Sequence, residues 1–245
     1  MTENRQETES IKEAASDAIR HGSDIRVQVH DLTLLAIEKH RFDRQGVRAV
    51  LQAVTEGVAH GAEQRGGNLR GALSEALHGL DQALRTSVEA GQAALKQLTT
   101  TGKDFSDTEL KQALTHLRKL EEEFFATVGQ VADAAGERVK PELRALLATT
   151  RQTGTETGKH VASVMSEFTH RASVASLDAT IAGIEVAGEV GSRFAAMASG
   201  ILSGLADALR KPPAAKTPSS QDEQRPANES APQTAQIPES RRKES

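Results

Sequence analysis

Apolar residues recur at helical spacing along most of the chain. Near the start this pattern is carried by Ile11, Ala14, Ala15, Ala18 and Ile19. Asp24 is placed to cap a second short helix that reaches about residue 40. The stretch 25–29 alternates apolar and polar residues as a strand would, but a lone strand without a partner is disfavoured in a helical chain. Residues 1–43 are therefore predicted to form two short helices.

Three long helices are predicted to follow, over residues 44–99, 107–150 and 155–210. Asp43 can cap the first, and the spacings Ser106–Glu109 and Thr153–Glu156 are typical of capping boxes that open the other two. At about 1.5 Å per residue these helices would be roughly 66 to 84 Å long. Short turns favour antiparallel neighbours, so we expect an all-α fold in which an elongated antiparallel bundle of three helices follows the two short ones.

The long helices share an apolar period of 11 residues. One series consists of Leu51, Ala62, Leu73, Leu84 and Leu95. Eleven residues in three turns is about 3.67 residues per turn, close to the relaxed α-helix, so each apolar stripe stays nearly straight. The period continues across Gly66-Gly67 and across Pro141, and both sites are therefore predicted to bend their helices rather than end them.

The C-terminal segment has a different composition. Six of the 7 prolines lie in residues 212–245, together with many Ser, Gln and Glu residues. Such a segment buries too little apolar surface to offset its ordering entropy, so residues 211–245 are predicted to be disordered. The predicted division is thus 1–43, 44–210 and 211–245.

Composition excludes several classes of protein. Only 2% of the residues are aromatic, with no Trp or Tyr, which argues against β-sandwiches and barrels. The absence of Cys excludes disulfides, thiolate metal sites and cysteine nucleophiles. With a net charge of −4 and few aromatic rings for base stacking, nucleic-acid binding is not expected.

The sequence also predicts a cytoplasmic protein without a transmembrane segment. The polar, acidic start lacks the basic and apolar regions of a signal peptide. The longest charge-free run in the apolar C-terminal region covers 13 residues, 194–206, whereas a spanning helix needs roughly 20.

The sequence contains no convincing catalytic or metal-binding motif. The pairs Glu75/His78 and Glu167/His170 have the Glu-x-x-His spacing of helical di-iron proteins. At about 100° per residue, however, both pairs fall opposite the apolar stripes and point to solvent. No nucleophile elbow, P-loop or dinucleotide-binding glycine motif is present. We therefore expect no metal, no cofactor and no enzymatic activity.

Residues 177–209 are dense in Ala and Gly, and Gly200 and Gly204 lie four positions apart. Small residues let helices approach closely, either inside a thin bundle or at a seam between two copies. Charged residues such as Glu185 and Arg193 argue against membrane insertion. We expect the chain to form a homo-oligomer.

The stretches 108–147 and 211–218, with the 11-residue period, resemble phasins, bacterial proteins that coat polyhydroxyalkanoate granules. Residues 25–58 instead resemble the head of an uncharacterised bacterial family. The phasin resemblance implies a non-enzymatic coat of a hydrophobic granule or lipid surface. Its apolar binding stripe would consist of Leu69, Leu73, Leu77, Leu80, Leu84, Phe124, Val128, Phe168, Val190, Phe194 and Ile201.

A second hypothesis uses the same residues differently. A structural or adaptor coiled-coil protein would pack these stripes on itself or on a protein partner. In that case the stripes should be protected from hydrogen exchange in the free protein.

Overall fold

The computed structural model describes residues 2–39, 42–101, 107–169 and 192–210. These residues form helices joined by short connections, without a strand among them, which confirms the prediction of an all-α chain. All of them lie in one unit, Met1–Pro212. The helices are α1 (Thr2–His21), α2 (Ile25–Lys39), α3 (Arg44–Gln64), α4 (Leu69–Thr101), α5 (Asp107–Ala134), α6 (Val139–Thr153), α7 (Glu156–Thr169) and α8 (Ser192–Arg210).

The two short N-terminal helices are confirmed as α1 and α2. The alternating stretch 25–29 is helical, and α2 can be apolar on several sides because it contacts α1, α3, α4 and α8. Asp43 caps α3 as predicted, accepting a hydrogen bond from the Gly46 N–H at 2.8 Å. The tail 211–245, which is predicted to be disordered, lies outside the described residues. No helix in the described ranges is long and apolar enough to cross a membrane.

The prediction that Gly66-Gly67 only bends a long helix is wrong. Helix α3 ends at Gln64, and α4 begins at Leu69. Gly67 has a positive φ of 84°, a conformation that glycine adopts without a steric penalty. Asn68 then caps the new helix by accepting a hydrogen bond from the Gly71 N–H at 2.9 Å.

The second predicted long helix, 107–150, is likewise two helices. Helix α5 ends at Ala134 and α6 begins at Val139. Pro141 therefore lies in the first turn of α6, where a missing N–H costs nothing, and it does not kink a helix interior. Asp133 pairs with Arg144 at 2.6 Å, so α6 folds back along α5.

Cross-helix contacts define the direction of each helix. Arg44 at the start of α3 pairs with Glu123, whereas Glu63 at its end lies beside Gly136, so α3 and α5 run parallel. Helix α4 runs antiparallel to α5, since Gly91 lies against Leu117 while residues nearer its start meet the later part of α5. Helices α3 and α4 therefore form an antiparallel hairpin, as do α5 and α6. The three-helix arrangement is replaced by shorter helices that reverse at 65–68 and at 135–138.

Helix α4 lies at the centre of the described fold and contacts every other described helix. Helix α7 runs parallel to it, because Asp81 lies at the start of α7 and Lys96 pairs with Glu167 near its end. The buried apolar side chains form one continuous cluster. Its largest fully buried members are Phe42, Phe124, Phe168, Ile19, Ile37, Leu51, Leu73, Leu80, Leu84, Leu95, Leu114 and Leu117.

Close approach of backbones joins α1 to α3. A Cβ atom placed on Gly57 would lie 2.2 Å from the Lys12 carbonyl oxygen, and one on Gly61 would lie 2.4 Å from the Ser16 carbonyl oxygen. The two helices run parallel here, since Lys12 pairs with Glu56 and Arg20 donates to Gln64. Only glycine at these two positions permits this helix spacing.

Candidate functional site

The predicted apolar stripe lies inside the described fold. Eight of its residues are at most 5% exposed: Leu73, Leu77, Leu80, Leu84, Phe124, Val128, Phe168 and Phe194. Leu69 and Ile201 are partly buried against the same core, and Val190 lies outside the described residues. The stripe residues of α4, α5, α7 and α8 thus face other helices of the same chain rather than solvent.

A buried carboxylate of α4 contacts the start of α7. Asp81 of α4 is 8% exposed and accepts hydrogen bonds from the N–H groups of Glu156, at 2.8 Å, and Thr157, at 3.1 Å. The Thr157 hydroxyl also donates to Asp81, at 2.7 Å. A carboxylate is favourable here because the first N–H groups of a helix have no intrahelical partner and carry partial positive charge.

A second carboxylate reaches the same helix end from α5. The Thr155 hydroxyl donates to Glu121 and accepts a hydrogen bond from the Gly158 N–H at 2.8 Å. Thr155 is therefore the local cap of α7, and the predicted capping box of Thr153 with Glu156 is wrong by two residues. Because α4, α5 and α7 all contribute, this cluster fixes the position of α7 in the fold.

Two grooves adjoin these helices. One, of about 250 Å³, lies beside the α7 cap and is lined by Leu77 and Phe124 together with threonines of α6. The other, of about 420 Å³, lies between α1, α3 and α5. In this second groove Lys12 and Glu56 pair at 3.1 Å, and Glu63 packs against Gly136. Lys12 and Glu56 are thus engaged with each other, whereas the Glu63 Oε1 atom is buried without a hydrogen-bond partner among the described residues. No arrangement of nucleophile and base is apparent from the residues that line either groove.

His116 of α5 is held in an aromatic junction with Phe42 and Phe194. Its ring centroid lies 5.2 Å from that of Phe42 and 6.0 Å from that of Phe194. Burial lowers the pKa of His116 to about 4; the Asp43 carboxylate opposes this shift, and the Arg44 guanidinium adds to it. The imidazole is therefore neutral at pH 7.

The Glu-x-x-His pairs do not form a metal centre in the described residues. Glu75 pairs with Arg26 at 3.0 Å, and the His78 Nδ1 atom lies 2.7 Å from the Ser74 carbonyl oxygen. Glu167 pairs with Lys96, and His170 lies outside the described residues. Across the described ranges, no group of three or more His, Asp or Glu side chains is placed to hold a metal ion.

Large exposed apolar side chains within the described ranges are Val27, Leu205 and Leu209. Two of them lie at the end of α8. On the same helix, a Cβ atom at Gly200 or Gly204 would have no neighbour within 4 Å, so these two glycines face away from the core.

Within the described ranges the chain is all-helical, with one apolar core and a buried polar cap at the start of α7. A family model covers residues 1–211, and the chain belongs to that family, the family of unknown function DUF6781. No curated protein and no solved structure shows a significant match to the chain.

The sequence prediction missed Asp81, Glu121 and His116. Each is a polar residue whose role depends on a contact with a segment far away in the sequence. Asp81 and Thr157, for example, are 76 positions apart. The one local signal was the threonine-rich stretch 149–157, which marks a helix boundary but not its partner.

Proposed function

We propose that this protein is a non-enzymatic structural or adaptor protein, which acts by associating with a second copy or with a protein partner. The observation that favours this proposal over a surface coat is the burial of the stripe residues within the chain, which leaves association to other surfaces of the protein. Leu73, Leu80 and Leu84 are each 0% exposed, so α4 has no free leucine stripe with which to coat a surface.

A phasin-like coat is the competing function, and it requires the helices to separate. Burying apolar area yields roughly 25 cal/mol per Å² whether the partner is a helix or a particle surface. A surface must therefore replace the existing helix contacts before it gains anything. The capped start of α7, held by Asp81 and Glu121, adds polar contacts that separation would also break.

The stripe itself is a poor target for a direct test. Replacing Leu73, Leu77 and Leu84 with Asp would bury three carboxylates without partners, and we expect this variant to unfold. Loss of particle binding by an unfolded chain would say nothing about the stripe. A restraint that leaves the core unchanged is more informative.

The chain has no Cys, so a pair of introduced thiols can be cross-linked specifically. Gln92 of α4 donates to Glu167 of α7 at 2.5 Å. A short bis-maleimide between Gln92→Cys and Glu167→Cys would hold these two helices together. Arg85→Cys and Glu89→Cys, whose side chains pair within α4, provide a matched cross-link that does not restrain separation.

The assay is flotation with polyhydroxybutyrate particles and, separately, with anionic liposomes. A structural or adaptor protein should float with neither, and its stripe peptides should be protected from hydrogen exchange with or without particles. Flotation of the control cross-link but not of the α4–α7 cross-link would overturn the proposal in favour of a coat that opens. Sedimentation of the free protein should show a dimer or larger species if the partner is a second copy.

A further inference from the structure

Helix α8 packs mainly on α4 and α2, and three aromatic rings meet where the beginning of α8 approaches α3 and α5. Phe42 precedes α3, His116 belongs to α5, and Phe194 lies near the start of α8. The two phenylalanine rings are 6.1 Å apart between centroids, and each meets the imidazole edge-on, at interplanar angles of 75° and 71°. Phe42 and Phe194 are 0% and 3% exposed and belong to the core, whereas His116 is partly exposed and lies at the edge of the core.

Two hydrogen bonds accompany this attachment. The Phe42 N–H donates to the Ser199 hydroxyl at 3.1 Å, and the Ser203 hydroxyl donates to Glu38 at 3.2 Å. Against α4, close packing at Gly91 leaves little spare space, because a Cβ atom there would lie 3.3 Å from the Phe194 ring. The imidazole therefore occupies a position where a change in its charge acts directly on α8.

The Nε2 atom of His116 is buried and has no hydrogen-bond partner among the described residues. In the imidazolium form both ring nitrogens carry a proton, so the positive ring would lie beside two phenylalanine rings with no acceptor for its Nε2–H group. Burying such a charge is costly, which is why the pKa of His116 falls to about 4.

Charged groups on the surrounding elements do not offset the cost of that charge: the Asp43 carboxylate favours the protonated imidazole, but burial outweighs it and the Arg44 guanidinium opposes it. Asp43 accepts from the Gly46 N–H at the start of α3, and Arg44 pairs with Glu123 of α5. On α8 the nearest charged side chain in sequence, Arg193, is exposed and would repel a second positive charge. On α4, Glu89 is paired with Arg85 at 3.1 Å.

We propose that the Phe42–His116–Phe194 junction is a pH-sensitive latch, which releases α8 from the other helices when His116 takes up a proton. Once α8 leaves, water reaches the buried Nε2 side of the imidazole, and its charged form is no longer penalised. The proposal goes beyond the proposed function and does not depend on which partner the protein binds.

The direction of the effect follows from linkage. In the released form the pKa of His116 returns towards its ordinary value of 6.5, whereas in the docked form it is about 4. Between these values only the released form binds the proton, so the docked form loses stability as the pH falls from 6.5 towards 4. A difference of about 2.5 units corresponds to a shift in the docking equilibrium of up to about 300-fold.

The test measures the distance between α4 and α8 in the full chain. Spin labels on Gln82→Cys and Gly204→Cys occupy exposed positions on the two helices. We expect a longer distance to grow in as the pH falls from 7.5 to 4. His116→Phe keeps an aromatic ring without a titratable group and should hold the short distance throughout, whereas His78→Phe, at an exposed histidine of α4, should behave like the unchanged chain.

A second label pair distinguishes release of α8 from general unfolding. Gln52→Cys on α3 and Gln130→Cys on α5 should keep their distance over the same pH range. The latch is refuted if His116→Phe shows the same transition as the unchanged chain, if both label pairs separate together, or if no longer distance appears by pH 4. Should His116→Phe not dock α8 at pH 7.5, His116→Leu replaces it as the non-titrating variant.

Discussion

Removal of the Asp81 carboxylate is the most direct test of how α7 is held. In the Asp81→Ala variant, the N–H groups of Glu156 and Thr157 lose their acceptor. Loss of a capping side chain costs about 0.5–2 kcal/mol, and a buried donor left without a partner costs about 1–3 kcal/mol. Thr157 is 1% exposed, so water does not replace the lost contact there. We expect a total loss of about 2–4 kcal/mol in the free energy of unfolding.

Urea denaturation followed by circular dichroism measures this loss. With a slope of about 3 kcal/mol per molar urea, the midpoint should fall by about 1 M. Amide exchange at Glu156 and Thr157 should also become faster. Asp81→Asn, which keeps the size of the side chain but not its charge, should lie between the unchanged chain and Asp81→Ala.

Asp133→Ala is the matched control. Asp133 pairs with Arg144 at 2.6 Å, but its side chain is 63% exposed, and surface pairs contribute at most about 1 kcal/mol. Equal midpoint shifts for Asp81→Ala and Asp133→Ala would refute the reasoning. In a double-mutant cycle, Asp81→Ala and Thr157→Val should be coupled by about 1 kcal/mol or more, because their side chains meet directly.

Two further predictions concern helix contacts and can be measured in the same assay. Gly57→Ala would place a methyl group 2.2 Å from the Lys12 carbonyl oxygen and should lower the free energy of unfolding by about 1–3 kcal/mol. Gly200→Ala meets no atom within 4 Å and should raise it by up to about 1 kcal/mol. Equal effects of the two substitutions would contradict the described α1–α3 spacing. Glu123→Gln weakens the 2.7 Å contact between Arg44 and a carboxylate that is 7% exposed, and should lower the free energy of unfolding by about 1–2 kcal/mol. The loss should be smaller in high salt, because the Arg44 side chain is 57% exposed and its charge is screened. A midpoint unchanged by both substitution and salt would show that this ion pair adds no stability.

The sequence predicts which residues are helical better than it predicts where helices reverse. Val58 and Leu69 are eleven apart, as are Ala62 and Leu73, although the chain turns back between them. Both members of the second pair are 0% exposed, because both arms of the hairpin contribute to the same core. Apolar spacing records burial but carries no information on direction, and this is why the period seemed to continue through Gly66-Gly67.

Residue spacing in the sequence predicts a helix cap correctly when the capping residue lies next to its helix. Asp43 caps the N–H of Gly46, three positions away, and the spacing alone predicts that contact. The cap of α7 failed as a prediction because its main acceptor, Asp81, is 75 positions from Glu156. The junction around His116 is equally invisible in the sequence, since its rings come from three separate segments.

The hydrogen bond from the Phe42 N–H to the Ser199 hydroxyl joins residues 157 positions apart. This separation has a consequence for synthesis on the ribosome. Translation at about 5–20 residues per second takes on the order of ten seconds to add that many residues. During this time Phe42 has emerged while the helix that covers it does not yet exist. Until α8 is made, the Phe42 ring lacks its Phe194 neighbour, and we expect transient contacts within the nascent chain to shield it.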